Sequence, residues 1–143
     1  MPQKKEIELL IHRATLLKEK NPAQALALLD DAILRSEKIT EHKLIATAKI
    51  EKAFCFSNQK NFKSALTNFQ EALSYFKSIN NYQGIISCLS HKAKLYIRLG
   101  DSPHAIELLI ERLKHCRLHH DEPRYAENLD DLGKIFTSHS FII

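Results

Sequence analysis

Apolar residues in this chain recur at steps of three and four over most of its length. In 62–78, Phe62, Ala65, Leu66, Phe69, Ala72, Leu73 and Phe76 make one helical face. In 85–99, Ile85, Cys88, Leu89, Ala93 and Tyr96 do the same, with Lys92 as a charged interruption. Turn signals separate such stretches at Asn21-Pro22, Asn61-Phe62 and Gly100-Asp101-Ser102-Pro103. Pro22 suits a first helical turn, and Asn21 can cap it. Gly100 can take the left-handed conformation that ends a helix, after which Asp101 or Ser102 can cap the next. These patterns predict helices over 3–20, 22–38, 41–59, 62–78, 81–99, 102–118 and 122–138.

The helices recur with a period of 40 residues. Ala25, Ala65 and Ala105 align, as do Leu29, Phe69 and Leu109. Ala32, Ala72 and Arg112 form a third column. Upstream, Leu16, Phe56, Tyr96 and Phe136 align, and so do Arg13, Ala53, Ala93 and Gly133. Small columns let paired helices approach closely, and large columns fill the space between pairs. Arg13 and Arg112 stand where other units carry small residues, so the first unit reads as a degenerate terminal repeat.

Composition agrees with an all-helical chain. Only 3 Gly and 4 Pro accompany 44% hydrophobic residues, too few turn formers for a β-sandwich or barrel. The glycines are scattered, so no phosphate-cradling loop exists. The net charge of +4 is uneven: residues 1–120 carry 19 basic and 12 acidic side chains, whereas 121–143 carry 2 and 5. That asymmetry points to an acidic partner. No basic cluster is interleaved with aromatics, so no nucleic-acid partner is expected. No apolar run is long enough to span a bilayer, so no membrane partner is expected either. Cys55, Cys88 and Cys116 are odd in number and widely spaced, which fits a reduced, cytoplasmic setting.

The spacing Ala93-x2-Tyr96-x3-Gly100-Asp101-x3-Ala105-x3-Leu109 resembles the tetratricopeptide repeat (TPR) family. Ala53-x2-Phe56-x5-Phe62-x2-Ala65-x3-Phe69-x2-Ala72 resembles the same template. The period exceeds the usual 34 of that family, and so is similar to the long-helix type of bacterial sensor and regulator proteins. The resemblance implies an all-α, right-handed superhelical α-solenoid of antiparallel helix pairs, with about seven helices. One domain over 1–143 is expected, with repeats at 1–40, 41–80 and 81–120 and a capping helix or half repeat with an apolar tail at 121–143.

The resemblance also places ligand contacts on the concave groove, lined by the first helix of each pair. Those positions are Ile50, Phe54 and Asn58 in the second repeat, Ser90, Lys94 and Arg98 in the third, and Lys134 in the last helix. Lys94 and Arg98 share a helix face and can grip an acidic group, with Phe54 as an apolar contact. The chaperone-tail-binding branch of the family needs cations or amides where this chain has Leu10, Ala14, Glu51, Ser87 and His91, so that ligand is not expected.

Catalytic and cofactor signals are weak. His115 and His119 have the spacing of a helical metal pair, but residue 116 is Cys rather than Glu and no second pair accompanies them. Asp30-Asp31 and Asp130-Asp131 are adjacent and so diverge on a helix. Cys55, between Phe54 and Phe56, reads as a small core residue. The expectation is a non-enzymatic adaptor that binds a protein or peptide, with no cofactor and no metal. The alternative is the sensory module of a bacterial signalling protein, detached or truncated. Leu129, Leu132, Gly133 and Phe136 make the last helix read either as a cap or as the first helix of a fourth repeat. In the latter case it and Phe141-Ile142-Ile143 offer a homodimer contact.

Overall fold

The computed structural model describes residues 2–140, with side chains from 3 to 137; Phe141-Ile142-Ile143 lies outside the described residues. Seven helices occupy this span: α1 (Pro2–Leu17), α2 (Pro22–Lys38), α3 (His42–Asn58), α4 (Phe62–Ser78), α5 (Tyr82–Arg98), α6 (Ser102–Leu118) and α7 (Glu122–Ser140). The described residues contain no strand. The fold is all-α, as the periodicity predicts. The described residues form two compact units, divided between Asn81 and Tyr82 and called unit 1 and unit 2.

The links after α2, α3, α4, α5 and α6 share one geometry. In the first, Thr40 N–H donates to the Glu37 carbonyl at 3.2 Å and Glu41 N–H to the Ser36 carbonyl at 3.0 Å. This pair of bonds is the Schellman motif, which satisfies the last carbonyls of a helix. It requires a left-handed residue, and these are Thr40, Lys60, Asn80, Gly100 and His120, all with positive φ. Only Gly100 takes that conformation without steric cost. Sequence signals mark two of these five turns, at Asn61-Phe62 and at Gly100. Asn21, Asn61, Asp101 and Asp121 then cap the following helices, each accepting the backbone N–H three residues on.

In unit 1, Ile7, Ile11 and Ala14 of α1 pack with Ala25, Leu29 and Ala32 of α2 and with Ala48 and Cys55 of α3. Ala65, Phe69, Ala72, Leu73 and Phe76 are the buried apolar residues of α4. Phe54 meets Phe69 edge to face at 5.5 Å. In unit 2, Ala93 of α5, Ala105 and Leu109 of α6, and Leu132 and Ile135 of α7 form one cluster.

The structure corrects the upstream columns in the first repeat. Ala14, not Arg13, is fully buried against α2, and Arg13 and Leu16 are exposed. α1 reaches α2 through residues 18–21, where Asn21 N–H donates to the Leu17 carbonyl and no residue has positive φ. That different link shifts α1 by one residue relative to α3 and α5. The first repeat therefore keeps its small packing residue and is not degenerate there.

Candidate functional site

In unit 2, α5 and α7 flank α6, and a cavity of about 280 Å³ opens between them. Ala93 and Leu109, both nearly fully buried, form its floor, with Ile135 on one wall. Ser90, Lys94 and Ile97 project from one face of α5, while Asp131 and Lys134 project from α7. Helical spacing explains the grouping, since residues three and four apart share a face. Three sequence-derived positions, Ser90, Lys94 and Lys134, thus meet at one site. Arg98 is exposed in the last turn of α5 and is not among the cavity's lining residues.

The cavity is apolar inside and charged at its mouth. Lys94 and Lys134 stand on opposite walls, and Lys134 also pairs with Asp130 at 3.3 Å. A hydroxyl, two ammonium groups and one carboxylate can orient a ligand whose apolar part fills the interior. Leu109, Ile135 and Asp131 were not anticipated as lining residues. Leu109 belongs to a second helix of a pair, and only helix-on-helix packing brings it beneath α5.

Ile50, Phe54 and Asn58 lie on α3 in unit 1. Two of them are engaged in the fold. Asn58 Nδ2 donates to the Lys18 carbonyl at 3.0 Å, tying the ends of α3 and α1. The Lys18 ammonium lies 4.6 Å from the centroid of the Phe54 ring and also pairs with Glu51 at 3.2 Å. Phe54 thus contributes a cation–π contact within the unit. Ile50 is half-buried.

His115 and His119 are also engaged in unit 2. His119 Nδ1 lies 3.0 Å from the His115 carbonyl, and its ring stacks on Tyr82 at 4.0 Å. His115 Nε2 lies 3.8 Å from Glu111. Among the described residues, no three His, Cys, Asp or Glu side chains are grouped to hold a metal ion.

Tyr82 anchors a second polar cluster. Its hydroxyl donates to Asp121 at 2.8 Å, and Asp121 also accepts from Arg124 at 3.0 Å. The Tyr82 hydrogen bond holds the Asp121 carboxyl below its ordinary range, with the Arg124 contacts adding to it. Burial, then hydrogen bonds with Cys116 and Asp121, push the Tyr82 phenol well above its ordinary value. Cys116, Asp121 and Tyr125 line an adjoining cavity of about 370 Å³.

A model of the soluble NSF attachment protein (SNAP) family matches residues 4–120. This chain belongs to that family. The SNAP match covers both units' helices from α1 to α6. Among solved structures, this SNAP-family chain is similar to the TPR domain of Arabidopsis FLU, with a TM-score of 0.71 and 18% identity over 82% of this chain and 99% of that one. The TPR resemblance read from Ala93, Tyr96, Gly100, Ala105 and Leu109 is therefore a property of the fold. No curated protein sequence matches the chain.

Proposed function

We propose that this chain is a non-catalytic adaptor that binds a protein or peptide through the first helices of its pairs. The observation that carries this reading is the convergence of Ser90, Lys94 and Lys134 on one apolar cavity in unit 2. An apolar interior with cations at the rim fits a peptide that inserts a large apolar side chain and carries acidic neighbours. Arg98 lies one turn beyond Lys94, outside the lining of the cavity. Ile50, Phe54 and Asn58 supply a separate contact set on unit 1. The family name describes an attachment protein, which accords with a docking role. The three free, buried cysteines accord with a reducing cytoplasm.

Fluorescence anisotropy with acidic peptides bearing a single Phe or Leu tests the reading. Lys94→Glu/Lys134→Glu is expected to weaken binding by about tenfold or more. Ile97→Ala is expected to weaken it at unchanged salt dependence. Equal affinity for wild type and both variants would remove the cavity as the site.

A further inference from the structure

The terminal helices expose complementary faces. In α5, Ile86, Leu89, Ala93 and Tyr96 share one face, and the following helix covers it at Ala93 and Tyr96. Ala93 packs with Ala105 and Leu109 of α6, and Tyr96 stacks on His104 at 5.0 Å. One period later, the same positions of α7 are Ala126, Leu129, Gly133 and Phe136. Here they face solvent: Leu129 is 47% exposed and Phe136 57%. A Cβ at Gly133 would meet nothing within 4 Å. α7 thus presents the surface onto which a following antiparallel helix packs.

α1 presents the counterpart. In α3, Ala48 and Cys55 pack in the cluster shared with α2, the preceding helix. In α7, Asn128 bonds the Leu109 carbonyl of the preceding α6, and Leu132 and Ile135 pack in the cluster with Leu109. Allowing for the one-residue offset of α1, the matching positions there are Leu9, Arg13 and Leu16. Leu9 is 64% exposed and Leu16 67%.

The geometry points to end-to-end association of two copies of this chain, with α1 of one copy lying antiparallel on the exposed face of α7 of the other. One face accepts a following helix and the other a preceding one, so each satisfies the other. Leu9 and Leu16 are two helical turns apart, as are Gly133 and Ala126. In the antiparallel register the two leucines therefore seat on the two small residues, and Leu129 and Phe136 fill the spaces beside them. The same register sets Arg13 beside Asp130. Pairing of two α7 helices would instead place their acids together, which disfavours that arrangement. The contact is heterologous, so it leaves a free α1 and a free α7 to extend the assembly or close a ring.

Sedimentation velocity on the full chain over a concentration series tests this. Wild type is expected to exceed the 16.5 kDa monomer mass increasingly with concentration. Leu9→Glu/Leu16→Glu and Leu129→Glu/Phe136→Glu change exposed positions, and circular dichroism checks their helicity. Each variant alone is expected to be monomeric, whereas an equimolar mixture gives a dimer that does not grow. Wild type that stays monomeric throughout overturns the proposal. Self-association of the Leu9→Glu/Leu16→Glu variant also overturns it, because that outcome assigns the contact to paired α7 helices. Should the double variants lose helicity, Arg13→Glu provides the second test: it is expected to weaken association about tenfold, with Asp130→Arg restoring it. No change in Arg13→Glu overturns the register.

Discussion

Arg112 is buried against Asn128: its Nη1 donates to the Asn128 Oδ1 at 3.0 Å. Asn128 is fully buried, and its own amide donates to the Leu109 carbonyl at 2.6 Å. Arg112 Nη1 also donates to the Arg124 carbonyl at 3.4 Å, while Nε is buried without a partner among the described residues. A guanidinium thus sits in the column that carries Ala32 and Ala72 in the other repeats. Asn128→Ala removes its principal side-chain acceptor and is expected to destabilise unit 2 by about 3 kcal/mol. Arg112→Met/Asn128→Leu removes both partners and is expected to be neutral or stabilising by up to about 2 kcal/mol. Urea unfolding of the three proteins checks the contrast. A single Asn128→Ala loss below that of an ordinary surface substitution would show that the pair is not coupled.

The five left-handed turn residues differ in cost. Thr40 is β-branched at φ 55, a conformation that side chains of its type seldom adopt. Thr40→Gly is expected to stabilise unit 1 by about 1 kcal/mol, while Gly100→Ala, at φ 76, destabilises unit 2 by a similar amount. Thermal unfolding followed by helical ellipticity measures both. The expectation fails if the two substitutions shift the midpoint in the same direction.

Tyr82 and Asp121 make stability depend on pH at both ends of the scale. The Asp121 pKa is depressed in the fold, so its contribution is present above the ordinary 3.8 and is lost as pH falls below it. The Tyr82 pKa is raised, so its contribution is complete below 10.0 and is lost as pH rises above that value. Tyr82→Phe is expected to raise the Asp121 pKa towards 3.8 and to flatten the alkaline loss. Carboxyl-carbon NMR titration reads the first effect. An unchanged Asp121 titration in the variant would show that the phenol does not set it.

The cysteines should behave as core residues. Burial pushes the Cys55 thiol up to about 11, with repulsion from Glu51 adding to it and Lys18 opposing it. Burial pushes Cys88 up to about 12, opposed by Lys92. All three cysteines are free and buried. At pH 8, an aromatic disulfide reagent is expected to label them at the rate of unfolding and within seconds in denaturant. Rapid labelling of any of them in the folded protein would contradict this inert role.

The sequence by itself determined the helices, their 40-residue recurrence and the cap at Asn21, and narrowed the cap of α6 to Asp101 or Ser102. These are set by residues close together in the chain, through apolar spacing and side-chain competition for backbone groups. The family resemblance marked Ser90, Lys94 and Lys134 as groove positions on α5 and α7. Tertiary structure decided what period alone cannot. The link at 18–21 slipped α1 by one residue, burying Ala14 in place of Arg13, since a turn's geometry fixes which face the next helix meets. Packing of α6 beneath α5 and α7 turned three aligned polar positions into one cavity with Leu109 as its floor. Packing also buried Arg112 with Asn128, a pairing between neighbouring helices that no local pattern carries.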